Sequence, residues 1–328
     1  MNTLVSLAEA KRLIAEGRAL LFAGDEKLLK GLPKGKWIGG SIPYFMSAAG
    51  GKKTAEEVFV TQLPDFITRA EAKLYAVDAM AGIPGDYPAN GASFVIVPGL
   101  TKAHVEFAEH CTTWQGVFDR PLVGWISGVD LADLGKVAPK VFNGATGEWA
   151  ENAAVVLHVT LPSDRIAKVD IINLFTQGTG DALTFAKSGF SVGEVLVNGA
   201  PRNFAEYLAE KAIDTKLPLV ADYNDAMVNI SIQAVDAAAK TVALYAPVFE
   251  GVTYRFARPL EEDYASAFQK ELAARAIEPV FACNCILNYL YGGLEGKKTG
   301  TMTGPITFGE IAYMLLNQTM VYVDFAKI

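Results

Sequence analysis

Residues 93–128 read SFVIVPGLTKAHVEFAEHCTTWQGVFDRPLVGWISG, and this stretch decides the fold class. The short apolar run 93–98 has the pattern of a buried strand. Thr101 is placed to cap a helix N-terminus. Behind it His104, Phe107, Ala108, Cys111 and Trp114 recur on one helical face. PLVGWIS (121–127) then returns to strand texture. Strand, helix and strand follow one another with little linker, which indicates a mixed α/β protein.

The alternation extends outward from there. Upstream, 6–16 reads as an amphipathic helix, ALLFA (19–23) as a short buried strand, and WIGGSIP (37–43) as a strand running into a turn. The spacing of Ile67, Ala70, Leu74, Val77 and Met80 predicts a helix over 64–82. Turn chemistry at 84–91 closes it. Downstream, 121–257 is strand-rich, with hairpin signals at Asn143-Gly144 and Asn198-Gly199. One helix is expected at 202–212. A second is expected at 260–276, with Glu261, Glu262 and Asp263 in its first turn, where the helix dipole favours acids. The strand PVFAC (279–283), an apolar segment to Tyr291 and a Gly/Lys/Thr loop (292–304) lead to the C-terminal run. With no Pro/Ser-rich linker, the expectation is two intimately packed halves, 1–215 and 216–328, with mixed sheets flanked by helices.

Composition narrows the function. The 328 residues are 51% hydrophobic and 20% charged, a globular balance, with a formal net charge of −7. The densest basic clusters are Lys34-Gly-Lys36, Lys52-Lys53 and Lys297-Lys298, too sparse for a nucleic-acid track. No stretch reaches about 18 uncharged apolar residues, so no membrane helix is expected, and the N-terminus lacks a signal-peptide core. Three cysteines make no disulfide framework. The expectation is a reduced, cytoplasmic protein without metal, since Cys283 and Cys285 have no second ligand pair.

The candidate chemistry centres on Phe281-Ala-Cys-Asn-Cys-Ile286, where a strand ending on Cys283 would meet an apolar helix. Open α/β sheets place ligands at such strand ends. A buried free Cys can equally be a small hydrophobe. Of three histidines, His104 lies on an apolar helix face and His110 on another. His158 alternates with Val155, Leu157 and Val159 along a strand. Neither the Walker A pattern, nor G-x-G-x-x-G at a strand-to-helix turn, nor G-x-S-x-G occurs. Ser41, in Gly39-Gly40-Ser41, sits in a turn that could hold an anion.

Several separated stretches together resemble the FIST family of bacterial sensory modules, in the family's order and over nearly the whole chain. They are Ile38-Gly-Gly-Ser-Ile42; Pro121-Leu-Val-Gly-Trp-Ile-Ser-Gly128 with Val141-Phe-Asn-Gly144 and the strand 153–160; and Val195-Leu-Val-Asn-Gly-Ala-Pro201 with Phe204-Ala-Glu-Tyr207. Phe281-Ala-Cys-Asn284 follows, then Gly304-Pro-Ile-Thr-Phe-Gly-Glu310 with Asn317-Gln-Thr319. Where the family pattern has Gly and Arg after the Cys, this chain has Cys285 and Ile286, so ligand chemistry does not carry over. The resemblance implies an N-terminal and a C-terminal part sensing a small molecule such as an amino acid, with a pocket between the halves. Some members bind haem, for which His104 would be the axial candidate; no cofactor is otherwise indicated. A chain ending at 328 leaves no room for an output domain. The expectation is therefore a stand-alone binder that signals through a separate protein and is compatible with a homo-oligomer.

The ligand-binding expectation rests on Ser41, Trp125, Ser127, Cys283, Asn284, Glu310, Asn317 and Gln318. A helix would otherwise explain Glu310 as an N-terminal charge and Asn317–Gln318 as a C-terminus. The alternative from another class is a hydrolase-like enzyme using Cys283, Glu310 and a neighbouring His158. The shared-pocket reading expects 37–43 and 281–286 to lie close together.

Overall fold

The structure, a computed structural model, describes residues 1–223, 226–275 and 279–328. It is a mixed α/β protein, 43% strand and 19% helix, so the strand-rich expectation holds. The chain forms two compact units. The larger comprises Met1–Ile172, Ala265–Leu315 and Met320–Ile328; the smaller comprises Asn173–Tyr264 and Leu316–Thr319. Position 215 falls inside the smaller one.

The larger unit contains three six-stranded sheets, and each holds a parallel pair joined through a helix. Leu20–Gly24 and Trp37–Ser41 flank the helix Glu26–Lys30, in register Leu20↔Trp37 to Gly24↔Ser41. Gly91–Pro98 and Leu122–Ser127 flank Lys102–His110, in register Ser93↔Leu122 to Pro98↔Ser127. Phe281–Cys285 and Gly304–Thr307 flank Ile286–Tyr291, pairing Asn284↔Ile306 and Cys285↔Thr307. Local chemistry fixes the helix starts: Ser6 Oγ accepts from Glu9 N at 3.2 Å, Asp25 Oδ1 from Lys27 N at 2.9 Å and Thr101 Oγ1 from His104 N at 3.3 Å. The aromatic core joins strands of different sheets. Phe281 stacks on Trp125 with centroids 5.6 Å apart, and Phe94 meets Phe281 edge-on at 5.7 Å.

The smaller unit has one six-stranded and one three-stranded sheet. Its Asn198-Gly199 turn joins Glu194–Val197 to Ala200–Asn203 with φ of +50° and +86°. That is the doubly left-handed geometry of a two-residue hairpin. The expected helix at 202–212 appears as Phe204–Glu210, capped by Asn203.

Four expectations need correction. Residues 64–82 are not a helix: Arg69–Ala76 is a strand pairing in full register with Ala153–Thr160, and Val77–Asp86 is a 3₁₀ helix. Ala70, Ala72 and Leu74 alternate with the exposed Arg69, Glu71 and Lys73. That two-residue period coexists with the helical one, and the waiting partner strand selects it. The helix expected from 260 begins at Tyr264, so Glu261, Glu262 and Asp263 precede it; its far end, 276, lies outside the described residues. The strand expected to stop at Cys283 runs to Cys285. Glu310–Ala312, Met314–Leu316 and Thr319–Lys327 are strands, so the helical explanations for Glu310 and for Asn317–Gln318 both fail.

Candidate functional site

A cleft of about 410 Å³ opens in the larger unit at the carboxyl ends of the parallel strands Leu20–Gly24 and Trp37–Ser41. Open α/β sheets place ligands at this edge because helix starts and turn backbone converge there. Asp25, Glu26 and Lys27 line one side, Ser41, Ile42 and Pro43 the floor, and Lys53, Thr54 and Ala55 a second side; Gly128–Asp130, Asp133, Val137 and Ala138 complete it. The lining mixes charged and apolar groups, the composition of a small-molecule site.

Its polar groups are held in place. Lys53 Nζ meets Asp130 Oδ2 at 2.5 Å, and Tyr44 OH donates to Asp130 Oδ1 at 3.2 Å. Lys53 holds the Asp130 carboxyl below the usual carboxylate range. The buried Lys140 lies 2.5 Å from Glu26 and 3.1 Å from Glu151. Glu26 titrates low because its ion pair with Lys140 and Lys30 outweighs its burial, which acts the other way.

Of the eight sequence-predicted ligand residues, Ser41 lines this cleft. Its hydroxyl is fully engaged: it donates to Gly128 O at 2.8 Å and accepts from Lys140 N at 2.8 Å. Ser41 thus ties the floor together. Directly behind it, Trp125 and Ser127 face Gly40. A side chain at Gly40 would approach Ile96 Cγ2 to 2.7 Å, Ser127 Cβ to 3.1 Å and Trp125 Nε1 to 3.2 Å, which explains the glycine. Trp125 Nε1 and Ser127 Oγ are buried without a hydrogen-bond partner in the protein.

Cys283, Asn284 and Glu310 form a second, sealed group. Cys283 Sγ donates to Gly124 O at 3.4 Å, and Glu310 pairs with Trp125 across the antiparallel ladder. Thr307 Oγ1 donates to Gly309 O at 3.0 Å, with Asn284 O at 3.3 Å and Glu310 Oε1 at 3.4 Å as its next nearest acceptors. Asn284 Oδ1 accepts from Cys285 N and Asn288 Nδ2, while its Nδ2 is buried without a partner. Burial, then the neighbouring Glu310, pushes the Cys283 thiol well above the usual range. The segments around Gly40 and Phe281 do share a neighbourhood, since both rest on Trp125.

Asn317 and Gln318 belong to the smaller unit, where a closed network uses them. Gln318 Oε1 accepts from Ser231 Oγ at 2.7 Å, and its Nε2 donates to Tyr264 OH at 3.0 Å and Lys216 O at 3.2 Å. Asn229 Nδ2 donates to Asn317 O at 3.2 Å.

His158 does not pair with Cys283. Tyr75 OH donates to Asp86 Oδ2 at 2.7 Å, so its oxygen accepts from His158 Nε2 at 2.8 Å; His158 Nδ1 then accepts from Ser93 Oγ at 2.7 Å. Both ring nitrogens are occupied, and burial lowers the pKa to about 4. His104 is buried, accepts from Leu100 N at 3.3 Å through Nδ1, and titrates at about 4 because of burial. It lines neither the 410 Å³ cleft nor the more open one at Asp181 and Tyr207. Among the described residues no group of three or more His, Cys, Asp or Glu is arranged for a metal. None of the three cysteines is in a disulfide, and all three are buried.

Sequence reasoning missed Glu26, Tyr44, Lys53, Asp130 and Lys140 around the cleft, and Tyr75, Asp86 and Ser93 around His158. One signal was present: Asp25-Glu26 directly follows a buried strand, where helices begin. Nothing local marks Lys53 or Asp130.

Fold and site together define a mixed α/β protein with a ligand-sized cleft at the carboxyl edge of a parallel strand pair. The chain belongs to DUF6976, a family of unknown function, whose model matches residues 5–326. No curated protein matches it.

Proposed function

We propose that this protein is a small-molecule-binding sensory protein of the cytoplasm whose ligand occupies the cleft above Ser41, and which signals through a separate partner protein. The observation that carries the reading is the cleft itself, about 410 Å³, at the carboxyl ends of Leu20–Gly24 and Trp37–Ser41. The resemblance to the FIST family supports the sensory role and puts free amino acids among the first ligands to try. Among the described residues no helix is long and apolar enough to cross a membrane, and none of the cysteines is in a disulfide, which suits a reducing compartment. In this reading Trp125, Ser127, Cys283, Asn284 and Glu310 support the floor from behind. Asn317 and Gln318 brace the smaller unit.

The experiment is a thermal-shift screen with free amino acids and other small metabolites, repeated on Ala55→Trp. Ala55 is exposed on the cleft wall, so the indole fills the cleft with little cost to folding. A ligand at a hundred times its Kd adds about 2.7 kcal/mol to stability. The expected result is a raised Tm in the native chain that Ala55→Trp abolishes. A ligand shift that persists in Ala55→Trp would remove the cleft from consideration, and a panel with no effect would count against the binding role.

A further inference from the structure

The segment 131–138 crosses the rim of the cleft between two polar anchors. At the first, Asp130 accepts from Tyr44 OH at 3.2 Å and Ala132 N at 3.1 Å and pairs with Lys53 at 2.5 Å, while Tyr44 OH in turn accepts from Leu131 N at 3.1 Å. At the second, Lys140 N donates to Ser41 Oγ at 2.8 Å, and Lys140 Nζ donates to Ala138 O at 3.1 Å and pairs with Glu26. Between the anchors, the hydrogen bonds found among the described residues close within the segment. Asp133 N donates to Asp130 O at 2.8 Å, Lys136 N and Val137 N to Asp133 O at 3.0 and 3.1 Å, and Lys136 Nζ to Ala132 O at 3.0 Å. A stretch secured at its ends and bonded to itself elsewhere can move as a unit without breaking sheet hydrogen bonds.

Its side chains are arranged for such a movement. Residues 132–137 are exposed, and Leu134 and Val137 are 42% and 39% accessible. Val137, Ala138 and Asp133 already line the cleft. Gly135 sits at φ +77° with no atom near the place a side chain would occupy, so it can turn without a steric barrier. Apolar side chains left in water beside a partly apolar cleft gain burial if the segment folds inward over an occupant.

We propose that 131–138 is a lid, hinged at Asp130 and Lys140, which closes Leu134 and Val137 over the apolar part of an amphipathic ligand. The inference rests on the cleft being the ligand site. It adds that the ligand has an apolar portion facing the lid and a polar end among Lys53, Asp130 and Lys27. Closure also gives the binding event a shape change that a partner protein can read, since a ligand moves an equilibrium only through contacts that differ between the two states.

Hydrogen exchange on the full chain tests it. In the ligand-free protein, Tyr44→Phe keeps the ring beside Tyr289 but removes the hydroxyl that joins Asp130 to Leu131. The amides of Lys136 and Val137 should then exchange about fivefold faster, the scale of one lost surface polar anchor. Those of Leu20–Gly24 and Trp37–Ser41 should not change. Unchanged exchange at Lys136 and Val137 would overturn the hinge. The second arm uses 8-anilinonaphthalene-1-sulfonate, an amphipathic aromatic anion. It should slow exchange across 131–138 in the native chain but not in the Leu134→Ser/Val137→Ser variant. Dye that Ala55→Trp displaces but that leaves 131–138 unprotected would sink the lid while leaving the cleft in place. Dye that Ala55→Trp does not displace and that leaves 131–138 unprotected would count against both.

Discussion

Cys283 is 1% exposed, with its thiol donating to a backbone carbonyl and its pKa raised first by burial and then by Glu310. A nucleophilic thiol needs a cation or helix dipole to favour the thiolate, together with solvent access, and Cys283 has the opposite surroundings. Native protein treated with iodoacetamide at pH 6.5 should therefore leave Cys283 unmodified over times that consume a free model thiol, and unfolding without reductant should expose three titratable thiols. Modification at the rate of a free thiol would restore the hydrolase alternative. The Cys was legible in the sequence as a chemically notable residue at a strand end. Its burial was not, because the residues that seal it, Gly124, Trp125 and Glu310, come from strands far along the chain.

Among the secondary-structure elements, those that formed as read carry their instructions within a few residues. Thr101 caps its helix, and Asn198-Gly199 sets its own turn because both residues accept positive φ. That turn yields a direct prediction. Gly199→Val must place a β-branched residue at φ +86°, so urea denaturation should show a loss of about 1–2 kcal/mol. An unchanged midpoint would mean that the hairpin has relaxed to another turn. The strand Arg69–Ala76 is the contrasting case. Its apolar residues fit a helix at 67, 70, 74 and 77 and a strand at 70, 72 and 74 equally well. Hydrogen bonding to Ala153–Thr160 over eight register pairs decides between them, a choice that local propensity does not make.

Across the whole molecule, two enclosed neutral histidines should make stability depend on pH. His104 and His158 both fall from 6.5 to about 4, with burial the leading cause. Around His158, Asp86 and Glu71 oppose the shift and Lys73 adds to it. A folded-state pKa below the unfolded one means that the unfolded chain binds more protons in between. The stabilisation is therefore full above pH 6.5 and is lost as pH falls toward 4, by up to about 3 kcal/mol for each residue. Denaturation midpoints between pH 7 and 4.5 should decline accordingly, and less steeply in His158→Gln. An equal slope in that variant would show that His158 does not carry the decline; the carboxylates of Asp86 and Asp130, lowered by Lys73 and Lys53, add their own loss only below about pH 4.

The sequence by itself determined the mixed α/β class, the helix caps, the Asn198-Gly199 hairpin and the apolar faces, because each depends on φ/ψ preference, a side chain within three residues, or a short period. Only the tertiary structure decided that 173–264 and 316–319 form one unit, that Arg69–Ala76 is a strand, and that Ser41, Lys53, Asp130 and Lys140 surround one cleft. Those outcomes rest on pairing between distant segments. Their hydrogen bonds and buried area exist only once both partners are in place, so no local stretch of sequence holds the information that selects them.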